Sequence, residues 1–367
     1  MRKAAVVCAS VAGLLASAHA AGQACSPETV NTLEASWGKG TDALTGATDY
    51  GFPQAQVPAL LAQLEKYLVP VKAALADPKG FELKSHKLVS YEPMVPKGPQ
   101  PHVLVVELRD YKCTGGAVST STEAAGEAEV EVNRLARLLG RTPVKLGGKE
   151  VFQLAWAVGE VHGHPLYEVP LSATPGISSH STELALLLTR DGKLPFRYVT
   201  RAEVLDYLGQ QLEKLRKDAL AKAPKPKSKK KKGEPDPELE AALAKVTAPF
   251  DVGLARLAAV RGGLTAEELA LPASVLPGAL VAQAVTDTWS FTDPKADRSH
   301  VCTSSCRHGE QVVTIDPGYL NKALPRTAPQ FLLVTFAWKP TAARPDPALR
   351  DAFFERLDVA ALTATLR

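Results

Sequence analysis

The sequence predicts an α+β protein: a mainly antiparallel sheet packed with helices, plus an antiparallel helical hairpin over about residues 200–262 with a disordered Lys/Pro-rich tip. Two observations carry this. Short aliphatic and β-branched runs recur without regular alternation with helices, as in Val103–Cys113 and in PQFLLVTFAWK near the end of the chain. Two leucine seams at spacings of three and four then flank one basic tract, KAPKPKSKKKK.

In chain order, MRKAAVVCASVAGLLASAHA comes first. Arg2 and Lys3 precede an apolar run from Ala4 to Leu15, and Ala18-His19-Ala20 follows with small residues at the outer positions. That layout describes a secretory signal peptide, with cleavage expected near Ala20 and a mature chain in the periplasm or medium. The run is too short to span a bilayer, and no later stretch reaches about 18 apolar residues, so no transmembrane segment is expected in the mature chain. Export predicts oxidised cysteines. Removal of Cys8 leaves Cys25, Cys113, Cys302 and Cys306, and proximity favours Cys302 with Cys306 and Cys25 with Cys113. Closing the longer loop is worth about 4.5 kcal/mol and the shorter about 2 kcal/mol.

Residues 54–76 carry Leu60, Leu64, Leu68, Val71 and Leu75 at helical spacing, with Pro70 expected to kink or divide the helix. Strands are expected at FELKSHKLVSYE and HVLVVELRDYKC, a small-residue loop at Gly115–Glu127, and a strand passing into a helix at VEVNRLARLLG, ended by Gly140. Further strands are expected at EVFQLAWAVGEVHG, PLYEVPL and STELALLLTR. Thr200-Arg201-Ala202-Glu203 is a capping box that starts the first hairpin helix, with Leu205, Leu208, Leu212 and Leu215 as its seam. Asp236-Pro237 starts the second, with Leu239, Leu243, Val246, Phe250, Leu254 and Leu257. VAQAVTDTWSF, EQVVTID and PQFLLVTFAWK are the remaining strands, and a helical stretch begins at Asp346. The chain thus divides into a signal peptide (1–20), an α+β body (21–199), the hairpin (200–262, basic linker 222–237) and a C-terminal part that completes the body (263–367).

Charge excludes one class of partner. Seven lysines of the basic tract, Lys222, Lys225, Lys227, Lys229, Lys230, Lys231 and Lys232, exceed the whole formal net charge of +4. Without them the balance is negative, so the body offers no nucleic-acid surface and no specific nucleic acid is expected. Lys229, Lys230, Lys231 and Lys232 are the candidates for contact with a polyanion or an anionic surface.

The search for chemistry starts at SHVCTSSCRHGE, where His300, Cys302, Cys306 and His308 form a near-palindrome. A c-type haem needs Cys-x-x-Cys-His, which this is not. A zinc site would crowd four ligands into nine residues, and thiolates in an oxidising compartment pair first, so a Cys302–Cys306 disulfide is expected. The remaining ligand candidates are His162 and His164, which would share a strand face, with His180 or Glu183 completing a set. A hairpin turn at Gly163 and Pro165 bearing two solvated histidines is the simpler reading, and no metal or cofactor is expected. Glu127, Glu129 and Glu131 alternate along one strand face, as a half-exposed strand does, although paired carboxylates can also serve acid–base chemistry. His86 and His102 are expected at the surface. The Ser-x-x-Lys at Ser36–Lys39 lacks its partner motifs. The function expected is therefore a non-enzymatic binding or scaffolding protein of the periplasm or cell envelope, its partner an unknown protein or envelope component. A secreted, metal-dependent hydrolase built on His162 and His164 is the alternative.

Overall fold

The computed structural model describes residues 25–41, 44–45, 52–89, 98–139, 143–170, 182–223, 237–275, 280, 285, 289–292, 310–339, 342 and 345–367. The signal segment, Gly140, His180, the lysine tract beyond Lys222, and Cys302 and Cys306 with their flanking histidines lie outside these residues, as does most of VAQAVTDTWSF. The helices are α1 (Pro27–Thr32), α2 (Val57–Ala74), α3 (Arg201–Lys222), α4 (Pro237–Gly262), α5 (Ala266–Ala270), α6 (Pro347–Arg356) and α7 (Val359–Thr363). The strands are β1 (Ser36–Trp37), β2 (Leu44–Thr45), β3 (Phe81–Val89), β4 (His102–Thr114), β5 (Ala117–Thr120), β6 (Gly126–Val132), β7 (Val144–Leu146) and β8 (Lys149–Leu154). They continue with β9 (Trp156–Val161), β10 (His164–Pro170), β11 (Thr182–Thr189), β12 (Phe196–Tyr198), β13 (Ser274–Val275), β14 (Glu310–Ile315) and β15 (Phe331–Trp338).

A large sheet runs in the order β1-β3-β4-β6-β15-β11-β10-β9, with β2 on β3 and β5 on β4, and a smaller one runs β12-β14-β8-β7, with β13 on β14. Both are antiparallel, except that β1 and β2 lie parallel to β3. The α+β class holds on these grounds. Strand β15, late in the chain, sits between β6 and β11, and all of its residues are buried. That is why PQFLLVTFAWK is continuously apolar where a half-exposed strand would alternate.

The core has three parts. Leu104, Val130, Val334 and Phe336 of the large sheet pack under Leu64, Leu68, Phe353 and Leu362 of the helices α2, α6 and α7. On the opposite face, Leu187, Leu333 and Tyr167 meet Leu154 and Val313 of the smaller sheet. Val151 and Val312, on the far face of that smaller sheet, pack under Leu205, Leu208 and Leu257 of α3 and α4. The order of layers is helices, large sheet, small sheet, helices.

Several expectations change in detail. Helix α2 runs through Pro70 without division. The stretch EVFQLAWAVGEVHG is two strands in two sheets, because Ala155 breaks the run by donating its N–H to Leu138 O, 2.8 Å away. The small-residue loop Gly115–Glu127 contains β5. The helix expected after β6 is a turn: Asn133 adopts φ 56° and its side chain bridges Ala328 O and Gln330 N at 2.9 and 2.8 Å, which ends regular structure there.

Candidate functional site

The face of the large sheet that meets the small sheet changes character across its width. Where the small sheet covers it, on β15, β11 and β10, it carries Leu333, Leu187, Ala185 and Tyr167. Toward β3 it becomes ionic. Register places Lys84 opposite Glu107 and Glu107 opposite Glu127, while Glu82 lies opposite Arg109. One row away, Glu129 stands between Val105 and Thr335, and Glu131 between Val103 and Leu333. The alternation of Glu127, Glu129 and Glu131 does put the three on one face, but Glu129 is 6% exposed and Glu131 0%, so this strand is buried on both sides. The half-exposed expectation is thereby corrected: the turn after β6 folds two arginines back over the glutamates.

Arg137 lies at the centre. Its Nη2 donates to Glu129 Oε1 at 2.6 Å, its Nε to Glu131 Oε1 at 2.7 Å and its Nη1 to Glu183 Oε1 at 2.7 Å. Arg134 Nη1 donates to the same Glu131 oxygen at 2.5 Å. Glu131 Oε2 is buried without a hydrogen-bond partner. Desolvation pushes the Glu131 carboxyl up to about 7 and Glu183 also up, against the opposing pull of Arg137. Three carboxylates facing two guanidinium groups leave one excess negative charge in a dry site, which a proton neutralises most cheaply. Its three carboxylates are buried, while the Arg137 side chain is 26% exposed. Its ion pairs tie the turn after β6 to β6 and β11.

The accessible part lies beside it. Thr41 Oγ1 is 2.9 Å from His86 Nδ1, and His86 Nε2 is 3.3 Å from Glu107 Oε2. Arg109 Nε holds that same Glu107 oxygen at 2.7 Å. Lys84 pairs with Glu82 at 2.9 Å and Lys339 with Glu127 at 2.7 Å. Gly40 explains how Thr41 reaches the sheet: a Cβ there would sit 2.2 Å from Ser85 O, so only glycine lets the segment approach β3 this closely. Thr41 N–H then donates to Ser85 O at 3.0 Å, fixing the residue over His86.

The predicted residues fall as follows. Cys25 and Cys113 form a disulfide, Cα–Cα 5.6 Å, closing the N-terminal segment onto β4. His162 and His164 do not share a strand face. His162 and Gly163, with φ of 51° and 78°, form the two-residue turn between β9 and β10, and only His164 lies in a strand. His162 Nε2 donates to Glu355 O at 3.2 Å, and desolvation lowers the His164 pKa. Glu183 belongs to the Arg137 cluster instead. Among the described residues no group of three or more His, Cys, Asp or Glu is placed to hold a metal. No described helix is long and apolar enough to cross a membrane.

His102 is the clearest misplacement. Expected at the surface, it is fully buried beneath α2, its Nδ1–H donating to Gln100 O at 3.0 Å and its Nε2 accepting from Gln63 at 3.1 Å. Gln63 continues to the Tyr67 hydroxyl at 3.0 Å. Desolvation lowers the His102 pKa to about 4, so it stays neutral. Sequence reading also missed Arg134 and Arg137, whose signal was two arginines set among leucines directly after alternating glutamates. Nothing in the sequence marks Thr41. Compared with models of protein families, with curated proteins and with solved structures, the chain matches none.

Proposed function

We propose that this is an exported binding or scaffolding protein of the periplasm or cell envelope, and that α3 and α4 with the basic segment between them form a helical hairpin that serves as its interaction arm. The observation that carries this reading is that α4 is apolar on two opposite sides. Its inner seam, Phe250, Leu254 and Leu257, packs toward α3, where Gly253 lies against Leu212. Its outer side presents Ala241, Ala244, Ala248, Val252 and Ala255, all exposed, Val252 at 56%. A helix with one partner needs one apolar stripe, and this second stripe of four alanines and Val252 is the surface that a second partner would cover.

Arg216 Nε pairs with Asp251 at 2.9 Å, and Arg261 pairs with Asp206, so the two helices run antiparallel with their joined ends away from the core. Residues 213–222 of α3 and 237–252 of α4 include no buried side chain. The Cys25–Cys113 bond supports an oxidising compartment. Lys229, Lys230, Lys231 and Lys232, at the joined ends of the arm, would add a salt-sensitive contact with an anionic envelope surface.

The test is cosedimentation of the exported protein with envelope fractions at low salt. The exposed pair A248E/V252E should release it at least ~10-fold while leaving its melting midpoint unchanged, and serine at Lys229–Lys232 should abolish the salt dependence. Unchanged partitioning of both variants would sink the arm. Export itself is checked by mass: the mature N-terminus should be Ala21, and an intact Met1 in the cytoplasm would overturn it.

A further inference from the structure

We propose that Thr41, His86 and Glu107 form a hydroxyl–imidazole–carboxylate relay that hydrolyses short acyl esters of polar alcohols, with Thr41 Oγ1 as nucleophile. Such chemistry requires a hydroxyl within hydrogen-bond reach of a base, and a third group that orients the base. Thr41 Oγ1 and His86 Nδ1 meet the first condition at 2.9 Å. Glu107 stands in the second role: its Oε2 lies 3.3 Å from His86 Nε2, at ion-pair distance, and that buried nitrogen makes no hydrogen bond. With the Thr41 hydroxyl donating to Nδ1, the neutral ring carries its proton on Nε2, on the side of the carboxylate. Arg109 is a positioning residue, since it holds the carboxylate at 2.7 Å from its Nε.

The three residues come from separate segments: Thr41 from the chain following β1, His86 from β3 and Glu107 from β4. His86 and Glu107 are 25% and 20% exposed and Thr41 is half-buried, so the relay lies at the surface and not in the core. Polarity of the surroundings sets the substrate class. Lys84, Glu82 and Arg109 border the relay on the same sheet face, so a short acyl group on a polar carrier fits and a fatty acyl chain does not.

The reaction balances with water as the only co-reactant. Thr41 Oγ1 bonds to the acyl carbon as its proton passes to His86 Nδ1, and the ester C–O bond breaks as that proton moves to the departing alkoxide. Water then adds to the acyl carbon, giving a proton to Nδ1. The carbon–Oγ1 bond breaks and Thr41 recovers the proton, leaving acid and alcohol.

The experiment uses the full mature protein, p-nitrophenyl acetate and octanoate, and a fluorophosphonate label read by peptide mass. Label should attach at Thr41, and acetate should be cleaved in preference to octanoate. T41A should lose both signals, H86A should lower the acetate rate by ~10²-fold or more, and T41S should retain it. Thr41 is partly exposed, so T41A and T41S should melt with the wild type. Absence of label in folded protein, or label and hydrolysis that persist in T41A, would overturn the proposal. The arm described above does not depend on this site, and either can fail alone.

Discussion

Arg137 donates from Nε to Glu131 Oε1 at 2.7 Å, while the second oxygen of the same carboxylate is buried and meets no donor. One acceptor is satisfied and the other is not, so the cluster holds more negative charge than its arginines neutralise. Its behaviour with pH and mutation follows from that imbalance.

Replacing Arg137 by Met leaves Glu129, Glu131 and Glu183 buried together with Arg134 alone. Breaking a buried pair costs about 3–5 kcal/mol, more than most surface ion pairs contribute. R137M should therefore lose about 4 kcal/mol at pH 8, read as a lowered urea midpoint. It should recover part of this at pH 5, where the carboxylates take up protons. A midpoint within error of the wild type at pH 8 would show the cluster to be solvated.

Glu131→Gln should do the opposite. Burial holds Glu131 at about 7 in the native state against an ordinary 4.5, so the folded protein binds this proton more tightly than the unfolded chain does. Its contribution is full below pH 4.5 and is lost as pH rises to about 7. Gln keeps an oxygen for Arg137 and removes the excess charge. At pH 8 E131Q should match or exceed wild-type stability, by on the order of 1–3 kcal/mol. Stability below that of the wild type at pH 8 would contradict the imbalance.

His102 slopes the other way. Its folded pKa, about 4, lies below the ordinary 6.5, so the native state resists protonation and stability falls as pH drops from 6.5 toward 4. The full effect is about 3 kcal/mol. Between about pH 4.5 and 6.5 it opposes the Glu131 term, and the wild type should appear nearly flat there. E131Q should expose the His102 slope, and His102→Gln the Glu131 slope. Denaturation curves at pH 5, 6 and 7 distinguish them, and parallel profiles for the two variants would refute the assignment.

The Cys25–Cys113 bridge spans 88 positions of chain. Serine at both should cost about 4 kcal/mol, chiefly by freeing the unfolded state. Intact mass should rise by two hydrogens on reduction for this bond, and by four if Cys302 and Cys306 are also joined.

Periodicity and capping were legible in the sequence because they are local. Thr200 and Glu203 cap α3 as their spacing requires, Leu205, Leu208 and Leu212 of α3 share one cluster with Phe250, Leu254 and Leu257 of α4, and the strands at Phe81, His102, Thr182 and Phe331 start within a residue or two of where the apolar runs begin. The Cys25–Cys113 pairing was expected because proximity favours Cys302 with Cys306, which leaves these two. Tertiary structure alone decided the rest. Whether Glu131 and His102 meet water depends on what packs above them: a turn bearing Arg134 and Arg137 in one case, helix α2 in the other. Those covers lie a few residues away for Glu131 and some forty for His102. Thr41, His86 and Glu107 likewise meet only because β3 and β4 pair and Gly40 lets the chain lie against β3. Sequence sets which faces are apolar; the fold decides which charges are enclosed, since burial and Coulomb energies depend on distance in space and not along the chain.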